Sequence, residues 1–368
     1  MKRNRVIFTI VSIALGFLVG GLILAAVGFN LFDVYSTMFK GVFSRPKYIA
    51  WTIIRSVPII LTGLSVAFAF RTGLFNIGAE GQFIIGALVA ALLGYFLELP
   101  LVIHAIVVLI GAGIAAGLWG SIAGYLRAKF GVHEVISTIM LNWIALYLNN
   151  YVVSWEKFRR PQSEASYKIL DSASIGILQQ WKRTDAGREF LSNSKFLREI
   201  LSAPVNWGII IAILCAIMVW YILQKTTLGY ELRAVGLNQD ASEYGGINVR
   251  RSILTSMFIS GILAGLAGAI HVLGVTKEVA ILSFMEGSGF DGIAVALLGN
   301  NTPLGSVLSG LLFGALKYSG PKIQSTMGAP SEVINIMIGS IVFFTSMPSF
   351  IKIIASKFKR RRGEVKVD

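Results

Sequence analysis

About ten apolar runs constrain the fold of this 368-residue chain more than any other feature of its sequence. A helix needs about 20 mainly apolar residues to cross a bilayer, and most of the runs approach that length. Only 14% of the residues are charged and the mean hydropathy is +0.71, outside the range of soluble domains. We therefore predict an all-α, polytopic membrane helix bundle that forms one transmembrane domain over residues 1–368. The predicted helices span about 6–28, 49–70, 77–97, 101–126, 134–153, 206–224, 252–273, 288–300, 303–320 and 332–351, of which the eighth is short enough to be a broken helix.

The basic residues predict which side of the membrane each polar segment faces. Seventeen of the 33 lysines and arginines lie in the N-terminal head, in segments 71–76, 127–133 and 225–251, and in the tail 352–368. Short cytoplasmic loops are enriched in positive charge, so these segments are predicted to be cytoplasmic and the long polar loop 154–205 extracytoplasmic. Ten crossings then leave both termini in the cytoplasm. The first apolar run is longer than a cleaved signal core and is predicted to be an uncleaved anchor.

Glycine is frequent in the predicted helices, although it costs about 1 kcal/mol per helical position relative to alanine. Small residues four positions apart let two helices approach closely in lipid. This spacing therefore predicts a compact bundle. The pairs are Gly16/Gly20, Gly113/Gly117, Gly120/Gly124, Gly261/Gly265 and Gly310/Gly314.

Two segments interrupt the helical pattern with glycine and polar residues together. The first break is 71–82 (RTGLFNIGAEGQ) and the second is 286–292 (EGSGFDG). They occupy the same step of two four-helix units that run in opposite directions, which predicts an inverted pseudo-repeat with a pathway between its halves. Polar groups within a membrane are costly unless they face water, protein or substrate. The candidate path residues are Phe75, Asn76, Glu80, Gln82, Asn142 and Asp291.

Each of these polar residues also has a structural interpretation. Asn76 and Asp291 have the residue types that cap the helices following them, and Glu80 fits a helix interface. Asn142 fits a hydrogen bond between helices as well as a position in a cavity wall. The sequence leaves these alternatives open.

The sequence lacks the residue patterns that ATP binding, metal binding or enzyme catalysis would need. The chain has no GxxxxGK[ST] motif with which to bind ATP itself, and its three histidines lack metal-ligand spacing. No arrangement of a nucleophile and a base is recognisable. We therefore predict a protein that is not an enzyme and that needs neither metal nor cofactor. Its single cysteine, Cys215, excludes an intramolecular disulfide.

Segment 225–251 (KTTLGYELRAVGLNQDASEYGGINVRR) is a polar interruption between two predicted spanning helices. Residues 240–244 suit a helix, and Gly245 and Gly246 would end it. A short helix of this kind offers a docking surface for a partner that supplies a driving force, since packed elements move as rigid units. The alternative is an ordinary solvated loop.

Three strings resemble one family of transport proteins. FNIGAEGQ at 75–82, AVGLNQDASEYGGI at 234–247 and GFDGIAVALLGNNTPLGS at 289–306 are similar to nucleoside-type permeases of bacterial ATP-binding cassette (ABC) importers. The wider group includes ribose and branched-chain amino acid permeases. The resemblance extends from the second predicted helix to the tail, and the 154–205 loop departs from it. It implies ATPase-coupling positions at Gly236, Asn238, Ala241, Glu243, Tyr244 and Gly246.

The same resemblance implies a fold and a set of partners. The expected fold is that of a type II ABC importer permease in the bacterial cytoplasmic membrane. The expected partners are a second permease subunit in a heterodimer, a tandem-domain ATPase that binds the ATP, and an extracytoplasmic substrate-binding lipoprotein. The expected cargo is a nucleoside. A simple-sugar permease and an ion-coupled secondary transporter are the alternatives, and a channel would need a filter motif that the sequence lacks.

Overall fold

The computed structural model describes residues 2–179, 181–328, 330 and 332–346. The predicted tail 352–368 and the last part of the tenth predicted helix, 347–351, lie outside the described residues. Within the described part the regular elements are helical, as predicted. The helices are α1 Lys2–Ala26, α2 Leu31–Phe43, α3 Pro46–Phe70, α4 Ala79–Phe96, α5 Leu101–Phe130, α6 Glu134–Val153, α7 Asp185–Ser192, α8 Lys195–Leu201, α9 Gly208–Lys225, α10 Thr227–Leu237, α11 Gln239–Tyr244, α12 Val249–His271, α13 Ser288–Leu298, α14 Pro303–Met327 and α15 Glu332–Ser346.

Six described helical stretches are long and apolar enough to cross a membrane. The total of ten crossings stays a prediction, because four of the predicted crossings are not among these six: α6, α14 and the shorter apolar helices α13 and α15. The six stretches are Thr9–Ala26, Pro46–Phe70, Ala79–Phe96, Leu101–Phe130, Gly208–Lys225 and Val249–Thr276.

Two helices differ from the sequence prediction. α2 occupies a segment in which we predicted no helix, and it buries Val34, Met38 and Val42, which are spaced four residues apart on one helical face. With 13 residues it is too short to span a bilayer. α14 continues through Pro321 to Met327, beyond the predicted end at 320.

The described helices group into two units, and the single domain predicted for 1–368 stays a prediction. The first unit contains residues 2–44 and 316–346. Here α1 packs against α15 through a predicted glycine pair. A Cβ atom on Gly16 would lie 2.9 Å from the Cα of Ile341, and one on Gly20 would overlap the side chain of Met337. The close approach predicted for this pair is confirmed.

The second unit, Arg45–Ala315, is built around α12. A Cβ atom on Gly261 would lie 2.4 Å from the carbonyl oxygen of Ala116 on α5, so glycine lets these two backbones meet. On α14, a Cβ atom on Gly314 would lie 2.9 Å from the Cα of Ser56 on α3. Fully buried Leu263, Ala264 and Ala267 complete the contact surface of α12. The glycines spaced four residues apart on α12 and α14 therefore lie where two helices approach closely, as predicted.

The loops of the second unit gather at its two ends. At one end, which we call the coupling end, Arg71 donates to the carbonyl oxygen of Asn301, and the backbone N–H of Phe75 donates to Glu134. At the other end, the loop end, His104 bonds to Ser172. Segments 71–76 and 127–133, predicted to share one side of the membrane, therefore lie at the same end of the unit.

The long loop 154–205 is folded against the loop end. Its backbone N–H groups at Ser166 and Ile169 donate to the carbonyl oxygens of Val279 and Lys277, over 2.8 and 2.9 Å. The Lys277 ammonium donates to Ser174 (2.6 Å) and to the carbonyl oxygen of Leu273. Burial lowers the pKa of Lys277 to about 8, with Asp171 acting in the opposite direction. The loop therefore fixes the segment that follows α12.

Candidate functional site

The first helix break separates α3 from α4 and is buried in the second unit. Gly73 has a φ of +73°, a conformation that side chains rarely adopt. The backbone N–H of Leu74 returns to the carbonyl oxygen of Ala69 (3.1 Å) and ends α3. The next residues enter the helix bundle, where Asn76, Glu80 and Gln82 have at most 1% of their surface exposed.

A polar network holds this break inside apolar surroundings. The amide nitrogen of Asn76 donates to the side-chain oxygen of Gln82 (2.8 Å) and to the hydroxyl of Ser260 on α12 (2.7 Å). The amide of Gln82 donates back to Asn76 (3.2 Å), and Ser260 also bonds to Ser65 on α3 (2.9 Å). Buried polar groups are stable only when they find partners. The network therefore fastens the break to two neighbouring helices.

Asn142 on α6 holds the start of α4. Its side-chain oxygen accepts from the backbone N–H of Gly81 (2.8 Å), and its amide nitrogen donates to the carbonyl oxygen of Ile77 (3.0 Å). Gly81 permits this contact, because a Cβ there would lie 2.8 Å from the Asn142 oxygen. Asn142 thus satisfies a backbone donor that the first turn of a helix leaves without a partner.

Glu80 joins the two breaks directly. One carboxylate oxygen accepts from the backbone N–H of Gly287 (2.8 Å) and the other from that of Gly289 (2.5 Å). These N–H groups belong to the N-terminus of α13, where a negative charge is electrostatically favoured. A Cβ on Gly289 would lie 2.2 Å from the backbone nitrogen of Glu80, so only glycine fits. On α3, Thr62 donates to the carbonyl oxygen of Ser288 (2.9 Å).

The capping interpretation of the sequence is wrong for both residues to which it applied. The N-cap residue of α4 is Gly78 and that of α13 is Gly287, and neither makes a side-chain cap bond of its own. Asn76 and Asp291 are therefore not N-caps. Glu80, interpreted as an interface residue, caps α13 from a different helix.

The two remaining candidate path residues lie at the edges of this network. Phe75 is half-buried, with its ring 5.1 Å from that of Phe70. Asp291 is half-buried in the first turn of α13. Whether any of the six residues contacts cargo stays a prediction. In the described part of the chain no group of three His, Cys, Asp or Glu residues is arranged to hold a metal ion.

The segment 225–251 contains two helices, the short one that its sequence suggested and α10, which was not predicted. α10 begins after Thr226, whose hydroxyl accepts from Gly229, and α11 is capped by Asn238, whose side-chain oxygen accepts from the backbone N–H of Ala241 (2.9 Å). Gly246 ends the second helix with a φ of +83°. The predicted helix and its glycine stop are confirmed.

This helical pair presents apolar side chains to solvent. Leu237 is 89% exposed and Tyr244 is 98% exposed. The two residues lie on consecutive helices, and exposed apolar patches are a feature of docking surfaces. Glu243 and Gly246 border a cavity of ≈ 780 Å³ that reaches Arg127 at the end of α5. Ala241 lies on the exposed turn of α11.

Gly236 connects the helical pair to the first break. A Cβ on Gly236 would lie 2.3 Å from the carbonyl oxygen of Arg71 and 3.0 Å from the backbone nitrogen of Gly73. The guanidinium of Arg71 in turn donates to the carbonyl oxygen of Asn301, beyond the end of α13, over 3.0 and 2.7 Å. A continuous set of contacts therefore runs from α10 through the first break to both ends of α13.

Several members of this set were not predicted from the sequence. Ser65, Ser260 and Thr62 lie within apolar helices and looked unremarkable there, and Arg71 was noted only as the start of a break. A signal was present, because isolated hydroxyl residues in membrane helices commonly bond to neighbouring helices.

Comparison with known proteins decides the family. The profile of a protein family described as "Branched-chain amino acid transport system / permease component" matches residues 48–346. The chain belongs to this permease family. The match contains both helix breaks, α10 and α11, and the whole buried network.

Several relatives match this permease over nearly their full length. It is 42% identical to the guanosine ABC transporter permease protein NupP of Bacillus subtilis, with 98% of each chain covered. It is 35% identical to the nucleoside ABC transporter permease protein NupB of Lactococcus lactis, covering 97% of this chain and 95% of that one. It is 29% identical to the glucose ABC transporter permease protein TsgB13 of Haloferax volcanii, covering 95% and 90%. No solved structure matches the permease.

Family membership and the long apolar helices both indicate a protein that crosses the membrane several times. The permease is a multi-pass membrane protein. Its role is that of a permease subunit of a transport system, which is the class predicted from the sequence.

Proposed function

We propose that this permease carries nucleosides inward as a subunit of an ABC importer and takes its driving force from a separate ATPase. The similarity to NupP and NupB favours a nucleoside as cargo. The observation that carries the mechanism is the bond between Glu80 and the start of α13, which joins the two helix breaks. Because α10 packs on the first break through Gly236, a displacement of α10 is passed to both breaks.

Uptake in cells tests the cargo. A host that lacks its own nucleoside and glucose uptake is given the gene with its neighbouring transporter genes. We expect accumulation of labelled guanosine or cytidine that excess unlabelled glucose does not reduce. Accumulation of labelled glucose alone would instead support the sugar-permease alternative, which the similarity to TsgB13 favours. Nucleoside uptake that survives ATP depletion and follows an ion gradient would support a secondary transporter.

The surface formed by Leu237 and Tyr244 is proposed as the docking site of the ATPase. Tyr244→Ala removes a fully exposed ring and leaves the α11 backbone and its caps intact, so we expect uptake and ATPase stimulation to fall together by about tenfold. That loss corresponds to about 1.4 kcal/mol of binding energy, a modest share for an aromatic interface residue. The measurements are nucleoside uptake and ATPase activity of the purified complex at matched amounts of permease.

Phe190→Ala is the matched control for Tyr244→Ala, because Phe190 is an exposed aromatic residue in the 154–205 loop. It should leave ATPase stimulation unchanged. Wild-type ATPase stimulation in Tyr244→Ala would place the docking site elsewhere. Replacing Gly246 by tryptophan is a less specific test, because the φ of +83° makes any side chain there strained.

The remaining partners and the orientation are proposed from the family resemblance and the charge distribution. A second, different permease subunit would pair with this one, and a binding lipoprotein would deliver the cargo from outside. Both termini and the coupling end would face the cytoplasm of a bacterial cell. The loop end would then face outward, where a binding protein could reach the 154–205 loop.

Single-cysteine labelling in a Cys215→Ser background tests this orientation. Ser192→Cys lies at an exposed position of the 154–205 loop and should react with a membrane-impermeant maleimide in intact cells. Ser356→Cys, in the predicted tail, should react only after the membrane is opened. Ser172 is less suitable, since it is half-buried against His104. The proposed orientation would be contradicted if Ser356→Cys reacts with the maleimide in intact cells, or if Ser192→Cys does not.

A further inference from the structure

A cavity of ≈ 340 Å³ lies beside the first break, towards the loop end of the second unit. α4 forms one wall with Phe83, Ile84 and Ala87. The segment that follows α12 forms the facing wall with Val279 and Leu282. The volume lies within the range of cavities that hold small molecules.

The cavity combines two aromatic rings with hydrogen-bonding groups. Phe83 and the imidazole of His271 both line it, with ring centroids 6.1 Å apart and planes at 44°. Asn149 lines it as well and donates from its amide nitrogen to the carbonyl oxygen of Ala280 (3.0 Å), which leaves the amide oxygen as its acceptor for a ligand. Thr276 adds an exposed hydroxyl at the margin.

The charged groups at the cavity are carboxylates. Glu278 and Glu286 line it, whereas none of its lining residues is lysine or arginine. Arg160 is bonded to Glu278 (3.1 Å), and the ammonium of nearby Lys277 is held by Ser174 and the carbonyl oxygen of Leu273. A ligand with a carboxylate, such as an amino acid, would meet like charge from Glu286 and would find no cation among the lining residues to pair with it. Arg55 acts electrostatically on His271 but does not line the cavity. A neutral ligand with hydroxyl donors suits the site.

We propose that this cavity is a nucleoside-binding station within the single permease subunit. The proposal rests on the proposed function and specifies where the cargo is held. The base would contact the Phe83 face and the apolar walls, and the ribose hydroxyls would donate to the Glu286 carboxylate and the Asn149 oxygen. A free sugar fits less well, because hydroxyls around its whole ring would lie unpaired against Ile84 and Val279.

The position of the cavity connects binding with the helix breaks. Phe83 follows Glu80 by less than one helical turn on α4. Glu286 immediately precedes Gly287, whose backbone N–H is bonded to Glu80. Movement of the α13 start would therefore change the margin of the cavity and release the ligand.

Ligand protection of a cysteine tests the station independently of transport. Thr276→Cys in a Cys215→Ser background is purified with its partner subunits and labelled with N-ethylmaleimide. Guanosine at about ten times its dissociation constant should slow labelling about tenfold, because only about a tenth of the sites remain free. Glucose and leucine should not slow it. Ser283→Cys, exposed nearby but not lining the cavity, should be labelled at the same rate throughout.

A second variant pair covers the case in which Thr276→Cys fails to assemble. Ala280 is exposed and lines the cavity, whereas Ser283 is exposed but does not. Ala280→Trp should lower nucleoside uptake about tenfold or more by filling the space of the base. Ser283→Trp should leave uptake near the wild-type rate.

The results of these experiments distinguish a failure of the proposed binding station from a failure of the proposed function. Two results overturn the station but leave the proposed function standing, provided that the wild-type transporter takes up nucleosides. One is that guanosine does not protect Thr276→Cys from labelling, and the other is that Ala280→Trp shows normal uptake. Absence of nucleoside uptake by the wild-type transporter overturns the proposed function itself. Protection by glucose or leucine instead of guanosine overturns the assignment of the ligand.

Discussion

Gly236→Val is expected to abolish most nucleoside uptake while ATP hydrolysis by the complex continues. The new Cβ would lie 2.3 Å from the carbonyl oxygen of Arg71, so the α10 backbone must move away from the first break. Overpacking of this kind costs ~1–3 kcal/mol, and separation of α10 from the break removes the contact that transmits its movement. We expect uptake to fall at least about tenfold, since each 1.4 kcal/mol is a factor of ten. The measurement is uptake beside ATPase activity in the same proteoliposomes.

Gly339→Val is the matched control for that substitution. Gly339 lies in α15, and a Cβ there would meet no atom within 4 Å. The control should keep both uptake and ATPase activity near wild type. Normal uptake by Gly236→Val would show that the contact between α10 and the first break is dispensable. Parallel loss of uptake and of protein from the membrane would point to misfolding, which the amount of permease in the membrane measures.

Glu80→Gln is expected to weaken the junction between the two helix breaks. The glutamate accepts one backbone N–H with each oxygen, whereas glutamine has one oxygen and presents N–H donors in place of the other. A backbone donor left without a partner in the interior costs ~1–3 kcal/mol. We therefore expect uptake to fall about tenfold and the midpoint of thermal unfolding in detergent to decrease.

Glu98→Gln controls for the removal of a carboxylate as such, because Glu98 is an exposed residue that follows α4. It should change neither uptake nor the unfolding midpoint. Glu80→Asp keeps the charge but shortens the reach, and it should fall between wild type and Glu80→Gln. If Glu80→Gln matches the wild type in uptake and in unfolding, the carboxylate does not join the two breaks.

The sequence predicted the location of both breaks but not how they are connected. Glycine and polar residues at 71–82 and 286–292 mark interruptions in apolar helices, and local patterns suffice to find them. The bond from Glu80 to Gly287 joins residues 207 positions apart. Its existence depends on how α4 packs beside α13, which the sequence of neither segment specifies.

The same limit explains the residues that were missed. Ser260 bonds to Asn76 only because α12 lies against the first break, and a serine in an apolar helix has many other uses. α2 was overlooked because a 13-residue amphipathic helix is shorter than the length that identifies a spanning helix. By contrast, the glycine pairs and the α11 stop depend on local spacing, and both were predicted correctly.

The central claim is that movement of α10 reaches the start of α13 through Gly236, the first break and Glu80. Phe284, 76% exposed just before α13, allows a direct measurement. In the purified transporter with Phe284→Cys and Cys215→Ser, the rate of maleimide labelling is compared without nucleotide and with ATP bound to a hydrolysis-deficient ATPase. We predict that ATP changes this rate in the otherwise wild-type permease and leaves it unchanged when Gly236→Val or Glu80→Gln is added. The same ATP-dependent change in all three proteins would contradict the claim.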